Sequence, residues 1–209
     1  MQHLTTPDVL PADAAQAIRV NELADLSRVF EPQVQVCAFP RMLDPAIADY
    51  LHGLDQTQEL QLIETVAADA APVLSRLPDK PGREVLVQDL LLLRDIVCEL
   101  HDSDGVGLRL ARVGQAMCPG WHLDRVRIRL VCTYEGIGTQ WFPDQAVSRG
   151  DLTQLLTDEP PGQATAGEIV LLKGALWPGN EALGAVHRSP DVEPSAGLRT
   201  VVTLDPLWN

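Results

Sequence analysis

The run Trp121-His122-Leu123-Asp124-Arg125-Val126-Arg127-Ile128-Arg129-Leu130 constrains this chain more than any other stretch. Charged and apolar side chains alternate along it, and a period of two belongs to a strand with one face buried. With a single parity throughout, His122, Asp124, Val126, Ile128 and Leu130 face inward, and Arg125, Arg127 and Arg129 face outward. An unpaired carboxylate among apolar side chains is costly, so Asp124 needs a partner. Two readings meet that need: a hydrogen bond with His122 that satisfies both groups, or a divalent cation shared by two side chains that sit side by side, two residues apart on the strand.

The surroundings of this run are β-rich. From Gly105 onward, short β-type segments at 106–113, 122–134, 167–173, 183–188 and 198–204 are separated by Gly and Pro, the spacing of a sandwich or barrel. The first hundred residues read as mixed and helix-rich. Residues 11–30 look helical, Val34 to Phe39 alternates like a short strand, Asp44 caps a helix running to His52, and 59–65 suggests another strand. In Arg83 to Leu100, the residues Leu86, Leu90, Leu93, Val97 and Leu100 recur at steps of four and three, giving a helix with one apolar face. The expectation is an α+β protein: a helix-rich N-terminal region, residues 1–104, packed on a C-terminal barrel, residues 105–209. The loop 143–166, with Pro160 and Pro161, is expected to be an irregular excursion from the barrel.

Composition narrows the partners. The net charge is −13, and 18 of the 29 acidic side chains precede residue 105. That balance opposes binding to nucleic acid or to anionic membranes, but not to a small anion held by local arginines. Met1 to Leu10 has no basic segment leading into an apolar run, and no stretch reaches membrane-spanning length, so a soluble, cytoplasmic protein is expected. The four cysteines, Cys37, Cys98, Cys118 and Cys132, are scattered without a CxxC pair and read mainly as free packing thiols. Lys173 is expected to be solvated at a strand end. Trp141 and Trp177 should cover the barrel mouth, and the three outward arginines should meet the acidic N-terminal half.

His187, in the segment Leu183-Gly184-Ala185-Val186-His187, supplies a third candidate ligand. Two histidines and a carboxylate form the facial set of non-haem Fe(II) oxygenases, which leaves coordination positions open. Arg199 opens the apolar strand Thr200-Val201-Val202-Thr203-Leu204, where its guanidinium can hold a carboxylate bidentately or pair with an acid such as Glu193. Tyr134, on the parity of His122, is a candidate pocket hydroxyl or a packing aromatic.

The ordered set HxD, distal His and a basic residue on the next strand resembles the Fe(II)- and 2-oxoglutarate-dependent oxygenases of the double-stranded β-helix, or jelly-roll, fold, over roughly residues 106–205. The resemblance implies that His122, Asp124 and His187 hold Fe(II) and that Arg199 anchors the distal carboxylate of 2-oxoglutarate. Gly167-Glu168-Ile169-Val170-Leu171-Leu172 is similar to the strand before the distal His in that family. The strings CPGWHLDRVRIRLVCTYEGIGTQW, GEIVLLKGALWPG and AVHRSP resemble an uncharacterised bacterial family, and that likeness implies genes of zinc homeostasis as neighbours. Two departures stand out: an inserted Trp177-Pro178-Gly179-Asn180-Glu181, and Cys118, four residues before His122 across Pro119-Gly120. A thiolate there favours Zn(II). Cys132 lies ten residues from His122, roughly 33 Å along an extended strand, so a zinc site of Cys118, His122, Cys132 and His187 would need a sharp bend or bulge between them.

Two functions follow: an Fe(II)/2-oxoglutarate-dependent dioxygenase hydroxylating an unidentified small-molecule or protein substrate, or a zinc-binding protein of metal homeostasis with Cys118 as an extra ligand. An isomerase or hydrolase using the metal only as a Lewis acid is the third possibility.

Overall fold

A computed structural model describes residues 16–70, 74, 76–143, 146–180, 183–192 and 197–208. Among these residues twelve strands form: β1 (Gln16–Arg19), β2 (Val34–Phe39), β3 (Leu60–Ala67), β4 (Gly105–Val113), β5 (Ile128–Glu135), β6 (Gln140–Phe142), β7 (Val147–Ser148), β8 (Asp151–Leu155), β9 (Gly162–Gln163), β10 (Ile169–Lys173), β11 (Val186–Arg188) and β12 (Arg199–Leu207). The helices are a 3-10 helix at Leu23–Phe30, α1 (Pro45–His52) and α2 (Arg83–His101). No helix among the described residues is long and apolar enough to cross a membrane.

Seven strands form the main sheet in the order β1-β2-β10-β5-β12-β4-β3, and a small sheet has the order β11-β6-β9. Apart from the parallel β1–β2 pair, the main-sheet pairings are antiparallel. The central strands of the main sheet are covered on both faces. Leu108, Leu110, Ile128, Leu130, Cys132 and Leu171 pack against the helices, including Leu86, Leu90 and Leu93 of α2. On the opposite face, Ala111, Val131, Val170 and Val201 pack with Trp141, Ala164 and Ala185 from the small-sheet side. That double burial explains the unbroken apolar run Ile169-Val170-Leu171-Leu172, which shows no alternation because neither face meets water.

The helix α2 forms where the sequence predicts it, because its four-and-three leucine spacing lays one stripe on the sheet. Each fully buried leucine there contributes about 1.5–3 kcal/mol. Its start is fixed by Gly82, whose φ is +90° and where a Cβ would meet the Ala46 carbonyl oxygen of α1 at 2.4 Å; only glycine fits. Asp44 caps α1 by accepting a hydrogen bond from the Ala46 amide at 2.9 Å.

The helix-rich N-terminal region is not what forms. Up to residue 104, three strands of the main sheet accompany the three helical segments, so this part of the chain builds the sheet as well as covering it. In the expected helix at 11–30, residues 11–15 lie outside the described residues, 16–19 form β1, and only 23–30 are helical, as 3-10 turns. Edge pairing of Ala17-Ile18-Arg19 with Val36-Cys37-Ala38 outweighs the helix propensity of an alanine-rich stretch. The excursion 143–166 carries β7, β8 and β9, the last of which joins the small sheet.

Candidate metal centre

The strand expected over 122–134 is regular only from Ile128. Before it, the chain bends at residues 125–127, and His122 makes an isolated antiparallel bridge to His187 of β11. The His122 amide donates to the His187 carbonyl at 3.0 Å, and the His187 amide to the His122 carbonyl at 3.1 Å. The single parity drawn through this run therefore fails. Ile128 and Leu130 face the helices, whereas His122 and Asp124 line a cavity on the opposite face of the sheet together with Arg129.

The bent segment is held by the chain that follows β10. The Gly174 amide donates to Arg127 O at 2.8 Å, Ala175 to Asp124 O at 2.9 Å and Leu176 to Val126 O at 3.0 Å. At Gly174 a Cβ would stand 2.0 Å from the Val126 carbonyl oxygen, so the two backbones approach this closely only around a glycine.

Three side chains converge at the cavity. The ligand atoms of His122, Asp124 and His187 all lie within 4.8 Å of one another, the one such His/Cys/Asp/Glu group among the described residues. His122 Nε2 is 3.8 Å from Asp124 Oδ1, and His187 Nε2 is 3.3 Å from Asp124 Oδ2. Facial ligands with bonds near 2.1 Å stand about 3 Å apart, so a modest contraction seats an ion. The histidine tautomers suit this. His122 Nδ1 lies 2.9 Å from Gly120 O and His187 Nδ1 2.9 Å from Ala185 O. A carbonyl only accepts, so each Nδ1 carries a proton and Nε2 is the ring atom turned toward the Asp124 carboxylate and offered to a metal. Burial and the neighbouring His187 push the His122 pKa below its usual range. Burial would raise Asp124, but His187, Arg129 and His122 outweigh it and hold the carboxyl at about 2.

Arg129 and Asp205 are functional candidates that sequence reasoning missed. Arg129 donates to Asp124 Oδ2 at 2.7 Å and grips Asp205 through Nε and Nη2 at 2.7 and 2.6 Å. It thereby orients the candidate ligand, as outer partners of metal-bound carboxylates do. The signal was available: Val131 and Thr133 share the parity of Arg129, so that face of β5 had to be buried as well. Of the other two arginines in the run, Arg127 is exposed and stacks on Trp208 at 4.9 Å, and Arg125 is exposed.

Arg199 lies 2% exposed on the cavity wall. Its Nε donates to Ile137 O at 2.7 Å, and Nη2 donates to the hydroxyls of Thr133 and Thr139 at 3.2 and 3.1 Å. No carboxylate among the described residues pairs with it, and burial alone lowers its pKa to about 10. A desolvated cation held only by neutral groups fits a carboxylate ligand.

Tyr134 lies on the other face of the sheet. Its hydroxyl donates to Asp89 of α2 at 2.6 Å, and the same carboxylate binds Arg41, so Tyr134 ties sheet to helix away from the cavity. Cys118 is exposed and lines the cavity mouth, but it lies outside the three-residue ligand group. Cys132 is buried on the helix side. Lys173, expected in solvent, is 2% exposed; its Nζ donates to Glu31 O at 2.7 Å and lies over the Trp177 ring. Burial lowers its pKa to about 8.

The architecture resembles the jelly-roll-like fold of solved dioxygenases. The rice dioxygenase for auxin oxidation superposes with a TM-score of 0.58 at 14% identity, covering 92% of this chain and 83% of its own. The Arabidopsis thaliana dioxygenase for auxin oxidation 1, solved as a binary complex with 2-oxoglutarate, gives 0.58 at 9% identity over 93% of each chain. A Neurospora crassa protein solved in complex with alpha-KG and 5-formyluracil gives 0.56 at 12% identity over 94% of this chain and 86% of that one. At such identities the likeness establishes the fold alone. No curated protein sequence matches the chain. The chain belongs to the family DUF1826, described as a protein of unknown function, whose profile matches residues 21–205.

Proposed function

We propose that this protein is an Fe(II)- and 2-oxoglutarate-dependent oxygenase that hydroxylates a small molecule. The observation that carries this reading is the pairing, in one cavity, of a three-ligand facial set with a buried arginine that lacks an acidic partner. His122, Asp124 and His187 would hold the metal, and Arg199 the distal carboxylate of the cosubstrate. Bound together, these groups would supply chemistry in which dioxygen is the oxidant: one of its oxygen atoms would enter the succinate left by decarboxylation of 2-oxoglutarate, with release of CO2, and the other would hydroxylate a substrate C–H bond. The chain's own part is binding and orientation. The two carbonyl-tethered histidines present Nε2, and Arg129 fixes the Asp124 carboxylate. Thr133 and Thr139 hold the Arg199 guanidinium in place within a largely buried cavity wall. The cavity volume of about 330 Å³ is at the small end of ligand pockets and favours a small-molecule substrate. The placement of Cys118 outside the ligand group lends no support to a four-ligand zinc site.

Anaerobic addition of Fe(II) and 2-oxoglutarate should give a metal-to-ligand charge-transfer band that is lost in H187A and needs at least tenfold more 2-oxoglutarate in R199M. No band in the wild type would sink the proposal. Bound zinc that disappears in C118S would replace it with the metal-handling alternative.

A further inference from the structure

The cavity holds more positive charge than the proposed cosubstrate uses. Four arginines line it (Arg109, Arg129, Arg188 and Arg199) against two aspartates, Asp124 and Asp205, in a chain whose net charge is −13. Three of the four are accounted for. Arg129 is neutralised by both aspartates, Arg199 sits among hydroxyls and a carbonyl, and Arg188 donates to Gln140 at 2.9 Å and stacks on Trp121 at 4.5 Å.

Arg109 is different. It projects from β4, opposite Thr203 on one neighbouring strand and Ile63 on the other, and its Nε is buried with no hydrogen-bond partner. No ion pair or hydrogen bond engages its guanidinium among the described residues. An orphaned buried N–H is costly, and a ligand anion would supply what the protein does not. Arg109 is also separate from Arg199: Arg199 pairs with Val113 on β4, four positions further along than Arg109, or about 13 Å. The two side chains thus start from backbone positions about 13 Å apart, and Ile137, Thr133 and Thr139 already hold the Arg199 guanidinium. Beside Arg109 the wall is apolar, formed by Ile63, Met117, Val131 and Val201.

We infer that Arg109 is a substrate-binding residue and that the substrate is a small anion, with a carboxylate or phosphate head held by Arg109 and an apolar body lying on Val131 and Val201. This rests on the oxygenase reading for the word substrate, but the anion site itself stands on the geometry of Arg109. A cleft of excess positive charge in an acidic protein also draws anions inward in preference to the outer surface.

The test uses the full chain and three probes: benzoate, its neutral analogue benzamide, and inorganic phosphate. Binding is measured by calorimetry, with the protein as purified and with the anaerobic Fe(II)/2-oxoglutarate complex. Wild type should bind at least one of the two anions and bind benzamide at least tenfold more weakly than benzoate if benzoate is the one bound. R109Q should weaken that anion at least tenfold, R109K should recover part of the loss, and R125Q, altering an exposed arginine, should bind as wild type. Affinity for 2-oxoglutarate should stay within twofold in R109Q. The better-bound anion identifies the head group. Absence of binding by both anions, or equal binding by wild type and R109Q, overturns the inference, as does a loss of 2-oxoglutarate binding in R109Q. If no 2-oxoglutarate complex forms but anion binding still depends on Arg109, the oxygenase reading falls and the anion site remains.

Discussion

Asp205 touches none of the candidate metal ligands, yet it governs one of them through Arg129. Its carboxylate takes two of the guanidinium's hydrogen bonds, leaving Nη1 aimed at Asp124 Oδ2. D205N should let Arg129 swing and lower metal affinity about tenfold, as the loss of an outer partner typically does; competition with a chromogenic chelator measures it, and unchanged affinity would refute the role. A second prediction concerns His101, packed against Phe30 and Trp177 at ring-centroid distances of 5.4 and 6.1 Å. Burial lowers its pKa to about 4, against about 6.5 when unfolded. The unfolded chain therefore binds the extra proton first as pH falls, so this stability is fully present above pH 6.5 and is lost progressively toward pH 4. For a half-buried ring the loss between pH 7 and 5 should be no more than about 2 kcal/mol. Urea unfolding of H101F should lack that part of the pH dependence. At this scale the ligands His122, Asp124 and His187 could be picked from the sequence as candidates, because HxD and a distal His are spaced as a set. Arg129 and Tyr134 were misplaced for one shared reason: a parity drawn from His122 is lost wherever the backbone stops being extended, and the chain bends at 125–127.

Elements whose signal is local were legible, and those that depend on partners were not. The helix α2 shows in its own leucine spacing, and β12 in its unbroken Thr200–Leu204 run. By contrast, β1 exists because β2 offers it an edge, and nothing within Gln16–Arg19 announces that. The same holds for the turn after β10. Its role in pinning 124–127 arises from three backbone hydrogen bonds that leave no trace in composition. G174A should force the two backbones apart at a site where a Cβ has 2.0 Å of room, destabilising the fold by about 1–3 kcal/mol. Because the displaced segment carries Asp124, metal affinity should fall more than in a control such as I63A, which alters an exposed side chain near the cavity mouth. Thermal unfolding and metal titration of the two variants provide the comparison.

For the whole molecule, a ligand that binds only the folded state stabilises it by mass action. At a hundred times its dissociation constant, 2-oxoglutarate added to the metal-loaded protein should contribute about 2.7 kcal/mol, or a rise in Tm of roughly 5–10 °C. R199M should keep any rise due to metal and lose the rise due to 2-oxoglutarate, which differential scanning fluorimetry resolves in one plate. The reciprocal backbone hydrogen bonds of His122 and His187 add a kinetic counterpart. They join the loop before β5 to the small sheet at the very residues that would grip the ion, so departure of the metal and parting of that seam amount to one event. Deuterium exchange at the two histidine amides then becomes a clock for metal release: slow while the ion is held, fast once a chelator has taken it.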